Sequence, residues 1–329
     1  MQWVPDVLGD EFEQLTLPLE ADAEGEVTAT LVRALPDAKP WWHRRDHRAL
    51  ADVDVLYVHG WSDYFFQKRL ARFWTSRGAR FFALDLRKYG RSLQPHQTPG
   101  FITNLDEYDA DIAAALEARG DADGRRLVLF GHSTGGLILS LWASRHPEAA
   151  SALILNSPWV EFQLGAARQA IAPMVELQAR WWPMDAAPQV DLGFYSRAQN
   201  EVADADDAMT VNLAWRPEQS MTVHAAWLHA ILQGHRAVSG GLGIGVPVCV
   251  LLSARTAVPR RWSEELTSAD SVLVVDDIAR AALKLGSSVT IERIDGALHD
   301  VFLSRREARD DAYARLDRWA RAWAQVSRD

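Results

Sequence analysis

The chain has 329 residues, a formal net charge of -9 and 48% hydrophobic residues. This length suits one elaborated α/β domain, or a domain with an insertion, better than two independent domains. The acidic balance and the lack of a long basic cluster argue against a nucleic-acid partner. A single cysteine, Cys249, excludes an internal disulfide framework and favours a reducing, cytoplasmic location. Cys249 lies in an apolar run, so we interpret it as a buried side chain and not as a catalytic thiol.

The first fifty residues carry the weakest signals. Residues 15–19 and 26–35 alternate apolar and polar side chains around a turn, which predicts an antiparallel hairpin. His43 and His47 have a metal-binding spacing if they are helical, but the arginines around them oppose a cation, and we favour a surface loop. The acidic first ten residues and the absence of a long apolar run predict neither a signal peptide nor a transmembrane segment.

From residue 53 onward, short apolar runs alternate with stretches of helical spacing. This alternation predicts βαβ units, and hence a mostly parallel, doubly wound sheet covered on both faces. Ligands of such sheets bind at the carboxyl ends of the strands. Strands are predicted at 53–58, 80–84, 127–130, 152–156, 246–252 and 289–294, and helices at 64–77, 105–118, from 137 to about 146, before 285, and at 306–325.

The alternation stops between about residues 158 and 245. That stretch holds helical fragments, prolines and several tryptophans, and a glycine-rich segment at 239–245 marks its end. We therefore predict an α/β core in two parts, 1–157 and 246–329, with a helical cap inserted at 158–245. The glycines of 239–245 are followed by no suitable helix start, which argues against a dinucleotide site.

The most informative stretch is 126–136. A typical buried strand, 127–130, runs into Gly131-His132-Ser133-Thr134-Gly135, and an apolar helical run follows at once. In so sharp a turn a side chain in place of either glycine would crowd the neighbouring strand and helix. Ser133 is then exposed at the apex, and the Thr134 N–H lies at a helix N-terminus, which favours negative charge. The pattern predicts a nucleophilic serine.

These residues resemble the α/β-hydrolase superfamily over about 50–325, and within it the monoglyceride-lipase and serine-aminopeptidase-like, or lysophospholipase-type, group. The resemblance rests on His59-Gly60 after the first parallel strand, on the Gly-His-Ser-Thr-Gly-Gly turn and on a late His299. The loop 85–92 also matches that group's Asp-x-Arg-Gly-x-Gly-x-Ser signature, except that Lys88 replaces its first glycine. The resemblance implies an α/β-hydrolase fold with the chain order serine, acid, histidine.

The same resemblance implies the roles of the site residues. Ser133 is the expected nucleophile and His299 the base that activates it. The backbone N–H groups of Trp61 and Thr134 are expected to bind the oxyanion, and neither a metal nor an organic cofactor is needed. The residues expected beside the substrate are His59, Gly60 and Trp159.

The acid of the triad departs from the group's pattern. The group usually places its aspartate a few residues after the strand that ends here at Ala254, but residues 255–259 contain none. Asp270 begins the familiar Asp-x-Val form later in the chain, so we interpret the region as an insertion and predict Asp270 as the acid. Asp276 and Asp277 remain alternatives, although the apolar residues after them indicate that they cap a helix.

These features predict a serine hydrolase that cleaves a carboxylic ester, such as a monoglyceride, a lysophospholipid or a similar small acyl ester. The same triad also serves peptidases, thioesterases, acyltransferases and cofactor-free haloperoxidases, and these alternatives stay open. A binding protein that has lost the triad is disfavoured because Ser133 and His299 are both present. The expected partner is a small-molecule acyl substrate bound in an apolar pocket under the cap. The oligomeric state stays open.

Overall fold

The computed structural model describes residues 2–36, 49–120, 122–162, 167–187, 191–204 and 210–326, and the His43 and His47 pair lies outside them. Its strands are β1 Val4–Pro5, β2 Glu13–Asp22, β3 Gly25–Ala34, β4 Val53–Val58, β5 Arg80–Asp85, β6 Arg126–His132, β7 Ala152–Asn156, β8 Val248–Ser253 and β9 Val289–Ile294. They form one sheet in the order β1-β2-β3-β5-β4-β6-β7-β8-β9.

The sheet has an antiparallel edge and a parallel body. β1, β2, β3 and β5 pair antiparallel in succession, and every pairing from β5 to β9 is parallel. The predicted hairpin is confirmed, with its turn between Asp22 and Gly25. Parallel strands end at the same edge, so the turns that follow β4, β6 and β7 meet there.

The helices of the described residues are α1 Lys68–Thr75, α2 Tyr108–Ala118, α3 Thr134–Arg145, α4 Ala167–Trp181, α5 Phe194–Val202, α6 Ala225–Gly240, α7 Val275–Ala282 and α8 Arg306–Val326. The helix predicted at 64–77 begins only at Lys68, and the prediction of its start was wrong. Upstream of Lys68, the Phe65 N–H donates to the Asp85 carboxylate and the Gln67 amide donates to Asp300. These long-range bonds hold the segment in an extended loop.

Two cores lie on the two faces of the sheet, and alternation along the strands decides which residue joins which core. On β6, Leu127 and Leu129 belong to the core under α2, α3, α6 and α7, whereas Val128 and Phe130 belong to the core under α1 and α8. Leu316 of the terminal helix enters this second core. Both faces of the central strands are therefore covered, as expected for a doubly wound sheet.

Three helices, α4 to α6, occupy the chain between β7 and β8. α6 packs closely against α3 and the turn before α2, because a Cβ on Gly234 would lie 2.8 Å from Leu105 and 3.2 Å from Leu137. Trp227 of α6 joins the same core as α2 and α3. None of the described helices is both long and apolar enough to cross a bilayer.

Candidate active site

The turn between β6 and α3 holds Ser133 in a strained backbone conformation. Its φ is +50° and its ψ is -117°, in a region that side-chain-bearing residues rarely adopt. A Cβ on Gly135 would lie 2.3 Å from the His59 carbonyl oxygen, and one on Gly131 would lie 2.6 Å from Gly136 Cα. Glycine is therefore required on both sides of the serine, and the turn aims the Ser133 side chain at the cavity beyond the strand ends.

Ser133, His299 and Asp270 form one hydrogen-bonded chain. Ser133 Oγ lies 3.0 Å from His299 Nε2, and His299 Nδ1 lies 3.0 Å from Asp270 Oδ2. The other carboxylate oxygen of Asp270 accepts the N–H groups of Val272 and Leu273, both at 2.8 Å. With a neutral imidazole, Nδ1–H donates to Asp270 and Nε2 accepts the serine O–H. The structure thus brings together the three residues singled out in the sequence.

The alternative acids lie elsewhere. Asp276 and Asp277 occupy the first turn of α7, where Asp276 forms an ion pair with Arg293 and Asp277 one with Arg280. Among the described residues, Asp270 is the carboxylate bonded to His299.

The late position of Asp270 has a structural cause. The Asp270 N–H donates to the Arg255 carbonyl at 2.9 Å, and the Ala257 N–H donates to the Asp270 carbonyl at 2.8 Å. Residues 255–270 therefore form a loop that starts at the end of β8 and brings Asp270 back beside Arg255 and Ala257. This returns the carboxylate to the end of β8, although it comes later in the sequence.

The loop after β4 approaches the serine closely. A Cβ on Gly60 would lie only 3.0 Å from Ser133 Cβ. Thr134 opens α3, so its N–H belongs to the first turn and has no acceptor within the helix. Trp61 and Thr134 both line the cavity, and the Trp61 ring is held between Tyr89, at 5.8 Å between centroids, and Trp227, at 3.9 Å.

His59 lies behind this loop and not among the cavity-lining residues, whereas Gly60 and Trp159 do line the cavity. The His59 Nδ1–H donates to the Gly60 carbonyl at 2.8 Å, and its Nε2 accepts the Leu86 N–H at 3.1 Å. Both ring nitrogens are thus used by the backbone, and the side chain is fully buried. His59 holds the loop in place.

A cavity of about 570 Å³ opens in front of Ser133. One wall is a continuous series of aromatic rings: Trp61 lies 3.9 Å from Trp227, Trp227 lies 6.0 Å from Trp159, and Trp159 lies 6.1 Å from Phe162, measured between centroids. Three of these four rings come from the segment between β7 and β8. The volume is that of a typical small-molecule site.

A polar cluster around the buried Asp300, which no sequence pattern indicates, lies behind the triad. Asp300 accepts hydrogen bonds from the Asn156 and Gln67 amides, each at 2.7 Å, and its N–H donates to the Tyr195 hydroxyl at 3.0 Å. Burial lowers the pKa of His132, whose Nε2 lies 3.9 Å from Asp300, and so favours its neutral form. Adjacency to His299 could have pointed to Asp300, but no local pattern marks Tyr195 or Gln67.

Comparisons with known proteins identify a family for the chain and solved structures with a similar fold. The family model described as serine aminopeptidase, S33 matches residues 51–305. The fold is similar to that of a monoacylglycerol lipase from Paleococcus ferrophilus, with a TM-score of 0.61 and 18% identity over 82% of this chain and 94% of that one. No curated protein matches the sequence.

Two further structures share the fold. A soluble variant of monoglyceride lipase from Saccharomyces cerevisiae has a TM-score of 0.61 and 14% identity, over 95% of this chain and 96% of that one. A carboxyl esterase from Bacillus coagulans has the same TM-score and identity, over 94% of this chain and 99% of that one.

Proposed function

The chain belongs to the serine aminopeptidase S33 family and is an α/β-hydrolase, and from that premise we propose that it is a serine hydrolase of small carboxylic esters. The observation that carries the proposal is the chain of hydrogen bonds from Ser133 through His299 to Asp270, beside a cavity with an aromatic wall. Structures of a monoacylglycerol lipase and a carboxyl esterase share this fold, which supports the ester as substrate. Monoglycerides and lysophospholipids are the substrate types proposed.

In the acylation step, Ser133 Oγ attacks the ester carbonyl carbon while His299 Nε2 takes the hydroxyl proton. Asp270 keeps the imidazole in the required tautomer and stabilises the imidazolium. The N–H groups of Trp61 and Thr134 bind the oxyanion, each contributing about 3–4 kcal/mol to the transition state. The intermediate then collapses, His299 gives its proton to the departing alkoxide, and an acyl-serine remains.

Deacylation repeats the sequence with water as the nucleophile. His299 takes a proton from the water, which attacks the acyl-serine carbonyl, and the same two N–H groups bind the second oxyanion. Collapse returns the proton to Ser133 Oγ and releases the carboxylic acid. Each step uses only groups of the protein and water.

We propose that residues 158–245 form a cap that binds the acyl chain. The aromatic rings contributed by Trp159, Phe162 and Trp227 provide an apolar wall for it. Each buried methylene contributes about 0.8 kcal/mol, or roughly a fourfold gain in kcat/KM where the contact forms before the transition state. The acyl-chain preference should therefore rise over several methylenes from acetate.

A second candidate activity is amide hydrolysis, which the family description favours. An aminopeptidase would act on aminoacyl p-nitroanilides. Comparison of these amides with p-nitrophenyl esters of matched size separates the two activities.

The test of the proposal is a series of p-nitrophenyl esters and monoacylglycerols with two to eight acyl carbons. We expect kcat/KM to rise along the series and Ser133→Ala to lose all but about a thousandth of wild-type kcat. A higher residual rate in this variant would exclude Ser133 as the nucleophile. A flat or falling series would exclude the acyl pocket and favour a small polar or peptide substrate.

A further inference from the structure

A segment of the cap runs alongside the loop that contains the proposed oxyanion donor. We call residues 212–221, between α5 and α6, the strap. It lies against residues 62–64, which follow Trp61 directly. Three contacts join the two segments in antiparallel order: the Met221 N–H donates to Ser62 Oγ at 3.0 Å, Arg216 Nε lies 2.9 Å from Asp63 Oδ1, and the Asn212 N–H donates to the Tyr64 hydroxyl at 2.8 Å.

The contacts of Met221 with Ser62 and of Arg216 with Asp63 are largely buried. The Arg216 and Asp63 side chains are 13% and 8% exposed, and Arg216 also donates to the side-chain amide oxygen of Gln199, on α5, at 2.7 Å. The Trp215 ring meets the Tyr64 ring edge-on at 5.2 Å. A desolvated charge pair of this kind is held tightly, because either partner left alone would be a buried charge without compensation.

The backbone of the loop needs such support. Ser62 has a φ of +54°, a left-handed conformation that is costly for a residue with a side chain. Strained conformations persist where the surroundings determine them, and the strap contributes the hydrogen bond to Ser62 and the ion pair to Asp63. The Trp61 N–H belongs to the Gly60–Trp61 peptide and is separated from this strained residue only by the φ and ψ of Trp61. Its direction therefore depends on whether Ser62 and Asp63 are held.

We propose that the strap positions the oxyanion hole, with Asp63 and Arg216 as its positioning residues. This inference rests on the proposed hydrolytic function. The cap then has two roles, since it binds the acyl chain and also fixes the Trp61 N–H through the strap. Removal of the strap contacts should weaken binding of the transition state much more than binding of the substrate.

The test compares Arg216→Met with Arg236→Met, which removes an exposed arginine of α6 whose guanidinium is bonded only to Gln233 among the described residues. For Arg216→Met we expect kcat on a p-nitrophenyl ester to fall roughly 10²-fold, as for loss of one oxyanion donor, with KM within about threefold of wild type. The affinity for an alkyl boronic acid, which mimics the tetrahedral intermediate, should fall by the same factor as kcat/KM. Arg236→Met should match wild type, and Arg216→Lys should recover part of the loss.

A folded Arg216→Met protein with wild-type kcat would overturn the proposal. So would a rise in KM alone, which would mean that Arg216 contacts the substrate. If Arg216→Met does not fold, the proposal is tested with Ser62→Ala, which removes only the hydrogen bond from the Met221 N–H. For this variant we expect roughly a tenfold loss of kcat with KM unchanged. A Ser62→Ala protein with wild-type kcat overturns the proposal.

Fluorophosphonate labelling separates this inference from the proposed substrate. The reagent reacts with an activated serine whether or not the protein cleaves esters. If wild type is labelled but hydrolyses no ester, the substrate proposal fails, and slower labelling of Arg216→Met still supports the strap. Equal labelling rates for Arg216→Met and wild type overturn the strap proposal.

Discussion

Replacement of Asp270 by asparagine tests the identity of the triad acid. One oxygen of Asp270 accepts two backbone N–H groups at 2.8 Å, and the other accepts the His299 Nδ1–H at 3.0 Å. Asparagine has a single acceptor oxygen, and the two backbone donors would hold it. Its amide N–H would then face His299 Nδ1, which must lose its proton, so the proton moves to Nε2 and points at Ser133. This is the wrong tautomer for a general base, and the expected loss of kcat is about 10⁴-fold, or about 5 kcal/mol in the barrier.

The assay is kcat and KM for a p-nitrophenyl ester at neutral pH, with Asp276→Asn and Asp277→Asn as matched controls. Both controls break ion pairs on α7 with substantially exposed arginines. Such pairs contribute about 0–1 kcal/mol, so we expect kcat within about threefold of wild type. A tenth or more of wild-type kcat in Asp270→Asn, or a collapse confined to a control, would refute the assignment.

Two further predictions concern the pocket and the fold. In Trp159→Ala, which alters the cavity wall, the rise of kcat/KM with acyl-chain length should become shallower. The control Trp182→Ala changes a residue that is 59% exposed and should keep the wild-type slope. A wild-type slope in Trp159→Ala would contradict the prediction. Burial raises the pKa values of Asp22 and Glu24, but their hydrogen bonds to Lys88 outweigh it and hold both below their ordinary values. These carboxylates thus contribute stability at neutral pH that is lost as the pH falls through their lowered pKa values. In urea unfolding, Lys88→Met should lower the free energy of unfolding by about 2 kcal/mol at pH 7 and by less below about pH 4. A loss that does not change with pH would contradict the stabilising role of the Lys88 contacts with Asp22 and Glu24.

Local patterns were sufficient to predict the serine turn and the parallel strands. The requirement for Gly131 and Gly135 arises from contacts within a few residues of strand, turn and helix, so it leaves a short signature. A fully buried strand such as β4 is recognisable as an apolar run, and its bounds match the prediction. The bounds of β9, a partly exposed edge strand, also match. His299 could be singled out because the family order places it late in the chain.

Lys88 shows why one departure from the family signature could not be interpreted from sequence. Its φ is +62°, the conformation for which glycine is the usual choice. The side chain is almost fully buried and its ammonium group lies 2.6 Å from Asp22, at the end of β2. Asp22 is distant from Lys88 in the sequence. The ion pair that offsets the unfavourable backbone conformation of Lys88 could therefore not be predicted before the fold was known.

The strap and the start of α1 were unpredictable for the same reason. Their conformations depend on hydrogen bonds between loops, which have no periodicity to detect. The contact between Ser62 and Met221, for example, joins residues 159 positions apart. Sequence patterns report the local backbone and the apolar faces, whereas loop-to-loop polar contacts are determined by tertiary packing.

The most direct test of the central claim is the site of covalent labelling. Wild-type protein is treated with a fluorophosphonate, digested and analysed by mass spectrometry. We predict one phosphonyl adduct on Ser133, formed at a rate that falls sharply in His299→Ala, and no adduct in Ser133→Ala. An unlabelled Ser133 in folded wild-type protein, or an adduct on another serine with Ser133 free, would contradict the account.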